Sequence, residues 1–565
     1  MDFIPSRWAR LQLIFNEPGM AVLVRSDQQH RIFEMPDGRS IVIGDLFASS
    51  ALPAALRNSR NIGEGAAFLL SAGWGRYVSL FWSAESLDAA LLRDPSGAMP
   101  AYVAEHDGVR LISSAIPRWL LERLGRKVKV NLQRLAAAVA HPPVASFQSL
   151  MECVEIVPAG GLFHFSGPLA AHAQLWKPAR FATQAQPSCV SAAARDLRGV
   201  VERACRTLLS EQGRVVLELS GGLDSAIVLG AVASHAHSPI VSCANFATSF
   251  VEGDEREHAR AAAAKWNAPL VELMACERDA DLARLTQIAQ PVEPLLFGLD
   301  LAVEVAMTNL AADLDVTAIA TGQGGDAVFF QRPTSAVAID AYLDGGWRAL
   351  YSQAAFDAAR RAHCSIWRVW RDMLLHKWRG PAAQSQFDGG VLSRTTLAII
   401  EGGLPVHPWL EGDETLPPAK RMQIEALCNG QIFYGPSLRS AARTLIHPLL
   451  AQPVLEHCLA IPTYMLARGT ADRALARAAF EDMLPQSIAR RRGKGEASNY
   501  YGRLVFENLD FLRGYLIDGT LVAHGILDPD ALDNLLTEDM LIWSDRARLP
   551  IIYAGFEAWA RHWLA

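Results

Sequence analysis

The chain has 565 residues, half of them apolar and a fifth charged, with a formal net charge of −6. This length predicts more than one domain, and this composition can fill large cores. The mild acidity gives no reason to expect nucleic acid or an anionic membrane as a partner. No apolar run reaches the length of a membrane span, and the N-terminus lacks the continuous apolar segment of a signal peptide.

The eight cysteines are scattered along the chain and form no CxxC pair. This usage is typical of a reduced, intracellular protein rather than of a disulfide framework. Together with the lack of a targeting segment, it leads us to expect a cytoplasmic protein.

Residues 1–182 have the pattern of short strands separated by turns. The candidate strands cover 21–24, 41–43, 77–82 and 109–113. Because Gly, Asp, Asn and Pro separate them, we predict an antiparallel β-sandwich of the α+β type. A polar stretch at 183–188 is the predicted linker to a second domain over 189–565.

The first half of that second domain alternates strands with helices, which predicts a doubly wound parallel sheet with its ligands at the strands' carboxyl ends. A strand at 215–219 runs into Ser220-Gly221-Gly222-Leu223-Asp224-Ser225, and an apolar helix is predicted over 226–235. A glycine-rich turn before a helix lets backbone N–H groups bind phosphate. Asp224 would repel bare phosphate and therefore predicts an intervening Mg²⁺. The alternative is an ordinary turn in which Asp224 caps the helix.

A second acidic loop, Thr321-Gly322-Gln323-Gly324-Gly325-Asp326, follows a strand predicted over 316–320. Carboxylates at two neighbouring strand ends can hold one Mg²⁺ against a triphosphate, although an isolated Gly-Gly-Asp is more often a turn. Asp254 and Glu255 precede a helix predicted over 256–266, and we interpret them as charges that complement its dipole.

The remainder, 330–565, reads mostly as amphipathic helix, with one stretch at 341–375. Trp367, Trp370 and Trp378 are interpreted as helix core, with an apolar peptide groove as the alternative. Glu401 is a candidate general base. The basic segment that ends in Lys494 is either a solvated loop or a phosphate contact.

These segments resemble the asparagine synthetase B-like ATP-pyrophosphatases. SGGLDSA resembles the pyrophosphate loop of that family, TGQGGD its second acidic segment, and the LP…RRRGKG region its lysine segment. The resemblance implies that Asp224 and Asp326 hold Mg²⁺ and that Lys494 stabilises the charged transition states. It also implies an ATP and pyrophosphate site formed by Leu219, Ser220, Gly221, Gly222, Leu223, Asp224, Ser225 and Gly322.

Gln323 departs from this resemblance, because asparagine synthetases carry Glu there and β-lactam synthetases carry Tyr. An amide cannot act as a base at neutral pH. We therefore predict that Gln323 lies in the catalytic site but does not act as a base. Glu401, another group, or the amine equilibrium of the substrate must supply the proton step.

The N-terminal segments resemble the glutaminase domain of the same family. They comprise the GRYV string at 75–78, the RDPSG string at 93–97 and the IVPAG string at 156–160. Glutaminases of this class attack glutamine with an N-terminal cysteine, whereas this sequence has Asp2 there and no cysteine before Cys153. We expect a retained domain without glutaminase activity, which serves as structural support or as a docking surface for substrate.

Within this architecture the nearest resemblance is to the lasso-peptide cyclases, which also lack the cysteine and often carry the WGRYV string found at 74–78. It implies an enzyme that adenylates an Asp or Glu side chain of a leader-free precursor peptide. The N-terminal amine of the peptide then closes a macrolactam, releasing AMP and pyrophosphate. Implied cofactors are ATP and Mg²⁺, and implied partners are the precursor peptide, a leader peptidase and a leader-binding protein. Alternatives are a β-lactam-synthetase-like cyclase, an ammonia-dependent asparagine synthetase and a catalytically dead scaffold of a biosynthetic complex.

Overall fold

The computed structural model divides the chain into two compact units. Unit 1 comprises 1–114 and 156–176, and unit 2 comprises 115–155 and 177–565. The structure describes residues 11–17, 20–25, 31–35, 37–38, 40–83, 88–106, 109–123, 128–165, 171–182, 189–235, 237–248, 253–275, 282–285, 291–379, 389–412, 415–491, 498–537, 546 and 548–564.

The first part of the chain is dominated by strands. Its elements are β1 Leu11–Glu17, β2 Met20–Arg25, β3 Ile32–Glu34, β4 Ser40–Ala48, α1 Leu52–Arg57, α2 Ile62–Ala72, β5 Gly73–Ser83, β6 Asp88–Arg93, β7 Tyr102–His106, β8 Val109–Ser113, α3 Arg118–Arg123, α4 Leu132–Ala140, β9 Val154–Ile156, β10 Gly161–His164 and β11 Ala171–Gln174.

Unit 1 is built from antiparallel strands. Its largest sheet has the order β11-β10-β6-β5-β4-β3, while β1 pairs with β2 and β7 pairs with β8. Apolar side chains from these sheets share one buried core that includes Val22, Leu80, Val103 and Phe163. The antiparallel sheets predicted for this region are thus confirmed, and their arrangement as a sandwich stays a prediction.

Helices dominate the rest of the chain. The elements are α5 Ala179–Ala182, α6 Val190–Ser210, β12 Val215–Glu218, α7 Leu223–Ala233, β13 Ile240–Thr248, α8 Arg256–Lys265, β14 Leu270–Ala275, α9 Leu301–Asp313, β15 Ala318–Ala320, α10 Gly325–Val328, α11 Ala336–Gly345, α12 Gln353–Arg361, α13 Ile366–Arg379, α14 Arg394–Glu401, α15 Pro418–Asn429, α16 Leu438–Ala442, β16 Thr444–Ile446, α17 Gln452–Ala460, α18 Thr463–Leu466, α19 Ala474–Ala479, α20 Gln486–Ala489, α21 Ser498–Glu507, α22 Leu509–Ile517, α23 Thr520–Ala523, α24 Pro529–Leu535 and α25 Leu549–Leu564.

The predicted parallel sheet of unit 2 is confirmed. Its five strands have the order β14-β13-β12-β15-β16, and every neighbouring pair is parallel. β12 lies at the centre, and its residues Val215, Val216 and Leu217 are fully buried. Because β12 and β15 are neighbours, the loops that follow them leave the same edge of the sheet side by side.

Two element boundaries near that edge differ from the sequence expectation. α7 begins at Leu223, not at 226, because Gly222 takes the N-cap conformation and the next residues are already helical. Asp224 therefore lies in the first turn of α7. β15 begins at Ala318, not at 316, because the N–H of Val316 donates to the carbonyl of Ala311 at the end of α9.

The predicted amphipathic stretch at 341–375 is interrupted. It comprises α11, α12 and α13, with a 3₁₀ turn at Gly346–Tyr351 and a left-handed residue, His363, at the breaks. Trp367 is 72% exposed, so the interpretation of this tryptophan as helix core is wrong. The side chain of Trp378 lies outside the described residues. Among the helices that the structure describes, none combines the length and apolar character that a membrane crossing requires.

Candidate active site

The loop after β12 has the geometry of an anion-binding turn. Gly221 has a φ of +77°, and a Cβ atom there would lie 2.7 Å from the carbonyl oxygen of Glu255, so the position requires glycine. Gly222 is the N-cap of α7, and no described side chain caps that helix. Because the helix dipole is positive at this end, the loop favours a phosphate group.

Serine side chains brace this loop from within. The backbone N–H of Ser220 donates to Ser225 Oγ at 3.2 Å, and the N–H of Gly222 donates to Ser220 Oγ at 3.3 Å. At the end of the strand, Asn245 Nδ2 donates to the carbonyl of Leu219 at 2.8 Å. The chain's own bonds thus hold the loop in one conformation, which lowers the entropic cost of binding.

The second loop can lie against the first because two of its residues are glycines. A Cβ atom at Gly322 would lie 2.4 Å from the backbone nitrogen of Ser225. A Cβ atom at Gly325 would lie 2.3 Å from Cγ of Asp224. Both distances are far inside van der Waals contact, so neither position admits a side chain. Asp326 follows in the first turn of α10, close to Asp224.

One guanidinium group joins these two carboxylates. Arg473 Nη1 donates to Asp224 Oδ2 at 2.6 Å and also to Asp326. Arg473 Nε donates to Asp472 at 2.9 Å. Burial lowers the pKa of Arg473, but the three carboxylate charges outweigh burial and raise it above its usual value. The site thus holds its two acidic side chains together through an internal cation.

The backbone of Arg473 is also unusual. Its φ is +50°, in the left-handed region that side-chain-bearing residues adopt only at an energetic cost. The residue is 3% exposed and forms the N-cap of α19. Strain of this kind persists where the surrounding structure fixes a side chain in one place, here between Asp224 and Asp326.

A cavity of about 770 Å³ opens beside this cluster, within unit 2. Gly221, Gly222 and Leu223 line it on one side, together with Gln323 and Asp326. Its lining also includes several arginines and an apolar group of Ala426, Ile432 and Phe433. The volume lies in the range of sites that bind cofactors and drug-sized ligands.

A buried histidine connects the second loop to the apolar part of the cavity. His447 Nε2 lies 3.0 Å from the carbonyl oxygen of Phe433, and Nδ1 lies 2.7 Å from Thr321 Oγ1. A carbonyl oxygen can only accept, so Nε2 carries the proton and, in the neutral ring, Nδ1 accepts from the Thr321 hydroxyl. Thr321 Oγ1 in turn accepts from the N–H of Gln323 at 3.1 Å. His447 therefore positions the loop that carries Gln323 and Asp326.

Glu255 has a further role that the sequence did not indicate. It is 8% exposed and accepts two hydrogen bonds from the guanidinium of Arg491, one of them at 2.7 Å. This ion pair holds Arg491, which lines the cavity, against Glu255, whose backbone carbonyl lies next to Gly221. Asp254 instead pairs with Arg256, whose hydrogen bond lowers the pKa of Asp254 to about 2.

The three catalytic candidates predicted from the sequence differ in their position relative to the cavity. Gln323 lines the cavity beside the two loops. Glu401 is the exposed last residue of α14 and is not among the described residues that line the cavity, so the structure does not bring it to the site. Lys494 lies outside the described residues, and its role stays a prediction.

Sequence reasoning missed Arg473 and the Thr321–His447 bond. Arg473 lies in an ordinary Ala-Asp-Arg-Ala segment, 249 residues from Asp224 along the chain. The one available signal was electrostatic, because two close carboxylates require a nearby cation when no other charge balances them. The residues around His447 gave no signal of its bond to Thr321.

The comparison with known families concerns this same region. A family model described as asparagine synthase matches residues 196–561, which include both loops, Arg473 and the residues that line the cavity. The chain belongs to the asparagine synthase family. Members of this family are ATP-using ligases, so the cavity belongs to an enzyme that forms amide bonds with ATP as cosubstrate. No match was found among proteins of curated function.

Proposed function

We propose that this asparagine synthase family member is a lasso-peptide cyclase. It would adenylate an Asp or Glu side chain of a leader-free precursor peptide and join it to the N-terminal amine of the same peptide. The products are an isopeptide macrolactam, AMP and pyrophosphate.

The observation that carries the proposal is the composition of the cavity. The two acidic loops lie beside a space of about 770 Å³ that is partly apolar, lined by Ala426, Ile432 and Phe433. Such a wall suits peptide side chains better than a single polar amino acid. Gln323 occupies the position at which asparagine synthetases carry Glu and β-lactam synthetases carry Tyr. An amide there favours a reaction that depends on preorganising a bound chain rather than on a base.

The two acidic loops have the donor chemistry for a magnesium ion. Asp224 and Asp326 would hold it, because Mg²⁺ prefers carboxylate oxygens and the glycines at 322 and 325 bring the two groups together. When bound, the ion supplies positive charge against the triphosphate. The loop from Ser220 to Ser225 would hold the pyrophosphate end of ATP.

The reaction has two displacements. A carboxylate oxygen of the peptide attacks the α-phosphorus of ATP, and the bond to the departing pyrophosphate breaks. The N-terminal amine then attacks the activated acyl carbon, loses one proton, and AMP leaves with the bonding electron pair. The positive end of α7 and, as a proposal, Lys494 would stabilise the negative charge that develops.

Proton removal in this scheme does not pass through Gln323, since an amide cannot accept a proton at neutral pH. Gln323 would instead orient the acyl group by hydrogen bonding from the cavity wall. The amine reacts in its neutral form, which is the fraction that its own acid–base equilibrium supplies. The rate of ring closure should therefore rise with pH below the pKa of the peptide amine.

The alternatives differ in the nitrogen source and in substrate size. A β-lactam-synthetase-like enzyme would close a small ring, and an ammonia-dependent asparagine synthetase would use aspartate and ammonium. A catalytically dead scaffold would use no ATP. A leader peptidase and a leader-binding protein would be partners of a cyclase, and co-purification of the three chains tests that part.

Mass spectrometry on candidate precursor peptides with ATP and Mg²⁺ tests the proposal. The expected result is the loss of one water from the peptide with equimolar AMP, both abolished by Asp224→Ala. Asp313→Ala, which removes an exposed aspartate at the end of α9, is the matched control and should keep activity. AMP formation with aspartate and ammonium alone would contradict the proposal.

A further inference from the structure

The cavity carries much more positive charge than the chain around it. Two aspartates, Asp326 and Asp472, contribute to its lining. Six arginines line it as well: Arg332, Arg360, Arg361, Arg473, Arg477 and Arg491. The whole chain has a net charge of −6, so this concentration of cations is local and points to anionic ligands.

Three of the six arginines are already neutralised by carboxylates beside the nucleotide loops. Arg473 binds Asp224, Asp326 and Asp472. Arg477 binds Asp472 at 2.7 Å and the carbonyl of Ile488 at 2.7 Å. Arg491 binds Glu255 through two hydrogen bonds. These residues lie beside the loops to which the proposed function assigns ATP.

A fourth arginine has a structural task. Arg361 is 9% exposed, and its guanidinium donates to the carbonyl of Ala467 at 2.9 Å. It also donates to the carbonyls of Gln331 at 3.1 Å and Arg332 at 3.3 Å. Arg361 thereby fastens the segment that carries Arg332 to the helix that carries Arg360.

The remaining two arginines have no comparable partner among the residues that the structure describes. Among the described residues Arg332 is exposed and forms no ion pair. The side chain of Arg360 is 62% exposed, and its one ion pair within the described part of the chain, with Asp357, is long at 3.8 Å. Asp357 is buried, but the separation of 3.8 Å is too long for a hydrogen bond and the Arg360 side chain is largely exposed, so both guanidinium groups are available at the cavity.

We infer that Arg332 and Arg360 form a second anion site of the cavity, which binds a carboxylate of the substrate other than the one that is activated. This inference rests on the proposed function, and it names a feature of the substrate: a second acidic group. Guanidinium groups suit carboxylates because their N–H pairs match the two carboxylate oxygens. Arg473, Arg477 and Arg491 are instead paired with carboxylates of the chain itself, beside the loops that would hold the triphosphate.

Binding measurements with defined probes test the inference without turnover. The probes are N-acetyl-triglutamate amide, its neutral counterpart N-acetyl-triglutamine amide, and inorganic pyrophosphate. The double variant R332Q/R360Q should bind the acidic peptide about tenfold more weakly and bind pyrophosphate within about twofold of wild type. R348Q/R371Q removes two exposed arginines of the same helical region that do not line the cavity, and it should leave all affinities unchanged.

Three outcomes would overturn the inference. They are an unchanged affinity of R332Q/R360Q for the acidic peptide, an equal loss in the control variant, and a loss confined to pyrophosphate, which would assign the pair to the nucleotide. Both sites of substitution are exposed, so the variants should fold, and circular dichroism checks this. Because no step of the test requires product, its failure is distinct from a failure to detect cyclised peptide and AMP.

Discussion

At the scale of single residues, Arg473 decides the electrostatics of the site. Its guanidinium lies between Asp224 and Asp326, the two side chains that we propose as magnesium ligands. A guanidinium and a metal ion compete for the same carboxylate oxygens. At hydrogen-bonding distance, one positive charge changes the electrostatic energy of a carboxylate by several kcal/mol. Metal binding and the position of Arg473 are therefore coupled.

Replacing Arg473 with glutamine should strengthen the binding of free Mn²⁺, used as a spectroscopic substitute for Mg²⁺, by about tenfold because a competing cation is removed. Titration followed by electron paramagnetic resonance measures this affinity in the absence of nucleotide. Without metal the variant should unfold at a lower temperature than wild type, since two close carboxylates lose their counter-ion. Added Mn²⁺ should remove this difference in unfolding temperature.

Arg477→Gln is the matched control for this prediction. Arg477 binds Asp472 and contacts neither Asp224 nor Asp326 in the described structure, so its loss should not change the Mn²⁺ affinity. Weaker Mn²⁺ binding in Arg473→Gln would contradict the competition and would make Arg473 a purely structural support.

At the scale of elements, two loops meet because glycines remove the atoms that would separate them. Gly322 and Gly325 place the backbone after β15 directly on the first turn of α7. The neighbour of a Cβ atom at position 322 would be the backbone nitrogen of Ser225, which cannot rotate away. The approach of the two acidic loops therefore depends on these positions more than on any single attraction.

Gly322→Ala should lower the free energy of unfolding by about 1–3 kcal/mol through overpacking and should also weaken ATP binding. Gly514→Ala is the matched control, and it should change the free energy of unfolding in the opposite direction. Gly514 lies inside α22, and no atom of the described structure would lie within 4 Å of its added Cβ atom, so alanine there should stabilise the helix by up to about 1 kcal/mol. Urea unfolding measures both, and equal effects of the two substitutions would contradict the steric argument.

The short helix α10, which carries Asp326, is held from outside. Gln423 Nε2 donates to the carbonyl of Val328 at 2.9 Å, and Gln423 Oε1 accepts from Lys420 Nζ at 2.8 Å. Lys420 also donates to the carbonyl of Ile461 at 2.7 Å, and burial lowers its pKa to about 8. A four-residue helix is not stable alone, so this buried network fixes the position of Asp326.

At the scale of the whole molecule, the stability of unit 1 depends on a buried acid. Asp94 is fully buried and accepts hydrogen bonds from the N–H groups of Tyr77 at 3.1 Å and Ser96 at 2.8 Å. Burial raises its pKa to about 6, although the hydrogen bonds and the charge of Arg93 oppose the shift. The folded chain thus binds this proton more tightly than the unfolded chain does.

The contribution of Asp94 to stability should therefore be fully present below about pH 4 and be lost as the pH rises through about 6. The change amounts to about 3 kcal/mol, because folding raises the pKa of Asp94 from 3.8 to about 6. Urea unfolding of the full chain between pH 4.5 and 7.5, compared with Asp94→Asn, measures it. The difference between the two proteins should vary with pH across this window, and a constant difference would contradict the assignment to Asp94.

The sequence by itself determined the local features of this protein. It gave the antiparallel and parallel regions, the strand, turn and helix order around Ser220–Ser225, and the acidic loop that ends at Asp326. These follow from hydrophobic periodicity and from turn chemistry, which depend on residues close together in the chain. Gly222 shifted the start of α7 by three residues, an error of the size expected where a cap decides the boundary.

Only the tertiary structure decided which charged and polar side chains from distant segments contact one another. It placed Arg473 between Asp224 and Asp326, left Glu401 exposed and outside the described lining of the cavity, and joined Thr321 to His447 across 126 residues. The energies of such contacts depend on burial and on mutual distance, and both are properties of the packed chain rather than of any one segment. The local sequence therefore specified the two loops, and packing specified the electrostatic site that they form.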